Sequence, residues 1–187
     1  MISHLRPALV LLALLTLITG VLYPLAVTGL SQTLFPHQAM GSLISRNGKT
    51  IGSALIGQNF ASAGYFHGRP SAAGNGYDGA NSSGSNLGPT SKKLIDRVTA
   101  DAKALHSENP APIPVDLITT SASGLDPDIT PAAAYFQVPR IAAARHLDPA
   151  RLRALIAAHI EPRLLGVIGE PRINVLALNL SLDAQTR

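Results

Sequence analysis

The chain has no cysteine and no tryptophan, and aromatic residues make up only 4% of its 187 positions. Without cysteine there is no C-x-x-C metal spacing and no lipoprotein anchor. Residues 17–20 (LITG) resemble a lipoprotein box, but Val21 stands where the lipidated cysteine would have to be. With so few rings, the core has to rest on Leu, Ile, Val and Ala. The six histidines, at positions 4, 37, 67, 106, 146 and 159, lack H-x-x-x-H spacing, so no metal site is encoded locally. There is no G-x-x-x-x-G-K-[ST] phosphate loop and no G-x-S-x-G nucleophile elbow. No repeat recurs at a fixed period. Net charge is +4, but Lys92-Lys93 is too short a basic run, and without interleaved aromatics, to suggest nucleic acid.

The absence that carries most information is local. Between Arg6 and Arg46 there is no Asp, Glu, Lys or Arg. Inside that gap residues 8–30, ALVLLALLTLITGVLYPLAVTGL, form one apolar block. As a helix at ~1.5 Å per residue it spans about 35 Å, enough to cross a hydrocarbon core of roughly 30 Å. Three readings compete: a permanent anchor, a cleaved signal peptide, and a buried globular helix. Signal peptides have shorter apolar cores of about 7–15 residues ending at a small-x-small site. Here Pro24 and Leu25 spoil the best such site, so the anchor is preferred. Thr16, Thr19, Gly20 and Thr28 are small or weakly polar positions that let a partner helix approach closely, and Thr16 and Gly20 are candidate contact residues. Pro24 is expected to kink the helix or end its regular part. Arg6 and the amino terminus precede the span, so positive-inside counting places residues 1–7 in the cytoplasm as a stub and residues 31–187 outside as one domain of ordinary length.

Past the span, Phe35-Pro36 breaks the chain. Leu43-Ile44, then Asn47-Gly48, then the apolar run 51–56 is a hairpin signal. Residues 61–90, ASAGYFHGRPSAAGNGYDGANSSGSNLGPT, have no helix or strand period. Tyr65, Phe66, Arg69 and Tyr77 are spaced through them as no plain Gly/Ser linker requires, which points to an ordered, irregular binding loop. An amphipathic helix follows over 91–107, with Leu94, Val98, Ala102 and Leu105 on one face and Thr90 or Ser91 as N-cap. Pro110, Pro112 and Pro114 make a linker, and 115–120 (VDLITT) is short and β-branched. Residues 121–128 form a polar turn. Thr130-Pro131 and Asp148-Pro149 are helix starts, and Pro139 ends or kinks the first of those helices. Residues 174–182 (NVLALNLSL) read either as a strand, from alternating Leu176, Leu178, Leu180 and Leu182, or as a buried helix capped by Asn174. The whole is expected to be α+β.

Few motifs suggest chemistry. Gly74, Gly76 and Gly79 match G-x-G-x-x-G, but the fingerprint works only between a strand and a helix, and neither flanks it. Asp126 and Asp128 read as turn and helix-start charges, too few for a calcium site. Residues 83–89 (SGSNLGP) and 121–127 (SASGLDP) share a grammar of small hydroxyls, Gly, Leu and a final Pro leading into a helix. Backbone N–H groups there cap a helix or bind an anion, and capping is the plainer reading.

Together several stretches resemble the KdpC family, the C subunit of the Kdp potassium-transporting P-type ATPase. They are Tyr23-Pro24-Leu25, Phe35-Pro36-His37-Gln38-Ala39, Gly52-Ser53-Ala54-Leu55-Ile56-Gly57-Gln58, Tyr65-Phe66 with Arg69-Pro70-Ser71-Ala72, the two SG-type turns, Gln137-Val138-Pro139-Arg140, and Gly169-Glu170-Pro171-Arg172-Ile173-Asn174-Val175-Leu176. The matches run in order along nearly the whole chain. Phe136 is an extra residue before Gln137, and Ala177 stands where a carboxylate is expected.

The resemblance implies a subunit without catalytic residues of its own, in the bacterial inner membrane. Its partners would be a channel-like K⁺-selective subunit, an ATP-hydrolysing P-type subunit, a small membrane subunit and membrane lipid. K⁺ is the complex's cargo, and no cofactor is expected to be firmly bound. It implies a role in assembly, or as a catalytic chaperone raising ATP affinity, with Gln137, Ser121, Ser123 and Gly124 in nucleotide contact. An external domain meets little ATP, so a lid or clamp on the channel-like subunit, reached by Tyr65, Phe66, Arg69 and Tyr77, is the preferred expectation. A membrane-anchored external hydrolase or binding scaffold is the alternative. Replacing residues 65–69 with Gly/Ser is expected to abolish assembly or transport, checked by co-purification and potassium uptake.

Overall fold

A computed structural model describes residues 4–185, which divide into two units after Ser53. The first unit starts with a helix over Leu5–Leu34, longer and more apolar than a span requires, with none of its window buried. Pro24 does not end it. Proline has no N–H, and its ring crowds the carbonyl four residues back. The helix answers with a π turn over Ile18–Leu22, in which the Tyr23 N–H reaches back five residues to the Ile18 carbonyl. The Thr19 hydroxyl donates to the Leu15 carbonyl at 2.7 Å, so it is spent inside its own helix. Phe35, at φ −136° and ψ 57°, leaves the helical conformation and breaks the helix before the short helix Pro36–Ala39. The expected hairpin is present: strands Leu43–Arg46 and Lys49–Ser53 pair antiparallel, with Arg46 opposite Lys49. Asn47 and Gly48 both have left-handed φ, at 53° and 76°, as a two-residue type I′ turn demands.

The second unit is α+β, mostly helix. Pro131–Phe136, Val138–Arg145, Pro149–Ala158 and Val175–Gln185 surround an aliphatic core built from Ile129, Val138, Ile141, Leu152, Ile156 and Leu178, joined by Phe66 from the long irregular loop. The helix Lys92–Glu108 keeps Leu94, Val98, Ala102 and Leu105 half-buried and the rest of its apolar content, such as Ile95, outside. Residues 115–120 form no strand. A single 3₁₀ turn over Val115–Leu117 puts Leu117 into the core and turns the buried Asp116 toward Thr130.

The undecided segment is a helix. The buried residues Val175, Leu178, Asn179 and Leu182 recur at the helical i, i+3, i+4, i+7 spacing, and the strand-like alternation of leucines is incidental. The Asn174 Oδ1 accepts from the Ala177 N–H at 3.0 Å and caps the helix start. Asn174 also closes a two-residue antiparallel pair, Asp128–Ile129 with Ile173–Asn174. Gln137 separates two helical runs: Phe136 ends the first, Val138-Pro139 starts the second, and the Phe136 ring fills the core.

Thr130 joins cap to core. Its hydroxyl accepts from the Ala133 N–H at 3.1 Å and donates to Asp116 at 3.2 Å, while its own N–H donates to the same carboxylate at 2.8 Å. Thr130→Ala removes the cap and one partner of a buried carboxylate, and is expected to cost about 1–2 kcal/mol. Thr130→Ser should recover most of it, as read by denaturant unfolding of the full chain.

Candidate functional site

Residues 61–90 contain no helix or strand, yet their backbone is ordered by side chains from the helices. Five successive residues, 63 to 67, are held this way. The Arg140 guanidinium donates to the carbonyls of Ala63 and Tyr65, at 2.5 and 3.1 Å. The Arg145 Nε donates to the Gly64 carbonyl at 2.6 Å. Asn179, only 1% exposed, grips Phe66 twice: its Oδ1 accepts the Phe66 N–H at 2.8 Å and its Nδ2 donates to the Phe66 carbonyl at 2.9 Å. Gln137, 4% exposed, does the same to His67, accepting its N–H at 2.8 Å and donating to its carbonyl at 3.1 Å. The remaining capacity of the Gln137 amide goes to the Ala133 carbonyl at 3.2 Å and to the Arg140 Nη2 at 2.7 Å.

The aromatic and basic residues of the loop turn inward as well. The Phe66 side chain is fully buried in the core. The Tyr65 ring lies under the Arg145 guanidinium at 4.4 Å, and its hydroxyl donates to Asp183 at 3.2 Å. Arg69 reaches the carbonyls of Thr119 and Thr120 and pairs with Asp126 at 3.0 Å. The Tyr77 hydroxyl donates to the Arg69 carbonyl at 2.6 Å. These four residues, expected from the sequence to contact a partner, fasten the loop to its own domain. The Phe66 ring in particular is not offered to anything outside. A Gly/Ser replacement of residues 65–69 therefore removes internal fastenings, and lost assembly would not by itself report a partner contact.

The Ser121–Gly124 turn is the other seat of the loop. The Ser121 hydroxyl accepts from the Gly124 N–H at 2.9 Å, and the Ser123 hydroxyl accepts from the Leu125 N–H at 3.1 Å. The Ser123 carbonyl receives the Ser83 N–H at 3.0 Å and the Ser82 hydroxyl at 2.9 Å. So the two segments with a shared grammar meet each other. Gly124 has φ +67°, and a Cβ there would stand 2.6 Å from the Ser83 carbonyl and 2.7 Å from the Ala73 nitrogen. Only glycine fits.

A cleft of about 410 Å³ runs along the loop, lined among others by His67, Arg69, Tyr77, Asp101, Gln137 and Arg140. Its cations face counter-charges: Arg69 lies against Asp126, and the Arg140 Nε is 3.2 Å from Glu108 without hydrogen-bond alignment. Burial holds the His67 imidazole below its usual value, which favours the neutral ring. The Ser121–Gly124 turn is not part of this lining. The four residues assigned to a nucleotide by resemblance thus do not share one pocket. The Gln137 amide has no hydrogen-bonding group left over, and the two serine hydroxyls cap their own turn. These residues as placed do not fit a nucleotide. Among the described residues no group of three or more His, Asp or Glu is gathered for a metal ion.

Asn179, Arg145 and Asp183 belong to the site although no local motif marks them. The available signal was a lone Asn at a core-facing helical position between Leu178 and Leu180, where a polar side chain must have buried partners.

Burial, with Asp126 nearby, pushes the Tyr77 phenol up to about 12 against a modest opposing effect of Arg69. The folded value exceeds the unfolded one, so this contribution to stability is complete below about pH 10 and is lost as pH rises through about 12. An absorbance titration of tyrosinate is expected to contain a late step at about pH 12 that Tyr77→Phe removes. A Tyr77→Phe profile that keeps the full late step would contradict it.

Comparison with known proteins bears on the whole chain. The family model described as "K+-transporting ATPase, c chain" matches residues 5–184. A Methylobacterium nodulans protein named "Potassium-transporting ATPase KdpC subunit" is 61% identical, covering 98% of both chains. Proteins of the same name from Rhodopseudomonas palustris and Caulobacter vibrioides are 59% and 60% identical, covering 98% and 99% of this chain and 99% and 95% of their own. The match takes in the membrane-length helix, the Gln137 and Asn179 clamps and the loop they hold; the chain belongs to the KdpC family.

Proposed function

We propose that the chain is a non-catalytic accessory subunit that assembles and stabilises an ATP-driven potassium-uptake complex, acting as an external clamp. The observation that carries this is the length of the match: anchor and domain together correspond to subunits named for that ATPase. On this reading the helix Leu5–Leu34 holds the chain in the membrane, with Thr16 and Gly20 against a neighbouring helix. Arg6 and the amino terminus stay in the cytoplasm and the larger unit lies outside. Its partners are a channel-like K⁺-selective subunit, a P-type ATPase subunit and a small membrane subunit, with K⁺ as cargo.

Of the two accessory roles, clamp and catalytic chaperone, the geometry favours the clamp. A chaperone acting through Gln137 would need that amide free, and it is spent on His67, Ala133 and Arg140. The amides and guanidiniums that could read a ligand instead keep a loop rigid, which suits a surface presented to another protein. The external hydrolase weighed from the sequence would look to Ser181 and His159, which lie 2.8 Å apart. That bond fastens Pro149–Ala158 to Val175–Gln185, with the other ring nitrogen on the Leu155 carbonyl.

The two roles separate on one substitution. Gln137→Ala is expected to lower the unfolding temperature of the chain and the yield of complex together. The KM for ATP of whatever complex still forms should stay within about twofold of wild type. A raised KM with unchanged stability and yield would favour nucleotide contact and overturn the clamp reading.

A further inference from the structure

Between the core helices Pro149–Ala158 and Val175–Gln185 the chain makes an excursion in which every residue from 161 to 170 is exposed. It is a closed finger. Glu161 and Arg172 exchange both backbone hydrogen bonds, at 2.9 and 3.1 Å, and so do Leu164 and Ile168 further out, at 2.9 and 3.0 Å. The tip turns through Leu165 and Gly166, both with left-handed φ, at 53° and 77°. A branched side chain such as leucine is seldom found there. Four large aliphatic side chains crown the finger: Leu164, Leu165, Val167 and Ile168 are 67%, 85%, 74% and 58% exposed. Singly exposed leucines need no explanation, but a contiguous apolar tip on an ordered support marks an interaction site.

The finger's charges say what kind of surface it meets. Arg163 pairs with Glu170 at 2.6 Å, and Arg172 pairs with Glu161 at 2.9 Å and with Asp128 at 3.1 Å. Each cation of the finger is matched by a carboxylate, and the tip has no Trp, Tyr or Phe. Elements that dip into a lipid interface carry aromatic anchors and unpaired Lys or Arg for anionic headgroups. This finger has neither. An aliphatic centre ringed by charges already paired with one another is the arrangement of a protein–protein contact, with a dry core and a polar rim.

We propose that the tip formed by Leu164, Leu165, Val167 and Ile168 docks into an apolar, uncharged groove on another polypeptide of the potassium-transporting complex. The finger, rather than the loop of residues 61–90, is then the domain's main handle on its neighbour. The inference rests on the accessory-subunit reading and adds the surface through which it works. Its rigid base suits this. Little backbone freedom is lost when a finger already closed by four backbone hydrogen bonds enters a groove.

The test uses the intact complex in mild detergent. A photo-crosslinking phenylalanine derivative placed at position 165 of the full chain is expected to give a covalent adduct with one other subunit, identified by mass. The double variant Leu165→Asp, Val167→Asp is expected to reduce recovered complex at least tenfold while the chain still inserts and unfolds at the wild-type temperature. Leu165→Met should assemble like wild type. Adducts with lipid alone, or with nothing, overturn the proposal, as does wild-type recovery of the double variant. If the double variant misfolds, the crosslink, made in an otherwise native chain, decides. A wild-type chain that purifies free of other subunits would instead defeat the accessory-subunit reading itself.

Discussion

Two buried carboxamides hold two consecutive residues, and most of the domain's order follows from that. In an extended chain the N–H and C=O of one residue point to one side and those of the next to the other. Asn179 takes Phe66 from one side and Gln137 takes His67 from the other, each making the pair of bonds that a neighbouring strand would make. A long loop without secondary structure must find partners for its backbone groups or leave them to water. Here the helices supply them through side chains. Because the Phe66 backbone is fixed, its ring can enter the core of a chain with few rings to spend there. Because both amides are buried, each hydrogen bond counts for more than one made at the surface, and an unpaired group would be costly.

The guanidiniums extend the same logic outward. Arg140 and Arg145 hold residues 63 to 65, and each is balanced by a carboxylate, Glu108 or Asp183. Arg69 ties the far side of the loop to Asp126 and to the carbonyls of residues 119 and 120. The helix Lys92–Glu108, which buries no residue fully, enters this network through Glu108. The members of such a framework are coupled through shared partners: Gln137 and Arg140 are bonded to each other as well as to the loop.

Much of this was legible in the chain, but unevenly. The hairpin was readable because Asn47-Gly48 has one well-defined use. The helices after Thr130 and Asp148 were readable because cap and Pro occur together. The membrane-length helix followed from a run without charge. What could not be read was direction. Tyr65, Arg69 and Tyr77 in a Gly/Ser-rich stretch look the same whether they face a partner or their own domain, since the distinction lies in residues up to 118 positions away, such as Asp183 for Tyr65. Residues 174–182 were ambiguous because leucine alternation and helical periodicity coincide over a short span, and only burial of Asn179 separates them. Of the finger the chain shows only Pro162, Gly166, Gly169 and Pro171 around ordinary aliphatic residues, because exposure is a property of the fold and not of the residues Leu and Ile.

The π turn at Ile18–Leu22 resets the register between the two halves of the helix Leu5–Leu34. Thr16 and Thr28 are twelve positions apart, which on an uninterrupted α-helix places them about 120° apart around the axis. One extra residue absorbed in the wide turn makes the effective separation eleven, and the two threonines come within about 20° of one another. The wide turn beside Pro24 thus aligns two threonines that lie on either side of it into a single seam. The helix carries one continuous small, weakly polar rail where a regular helix would carry two short, divergent ones.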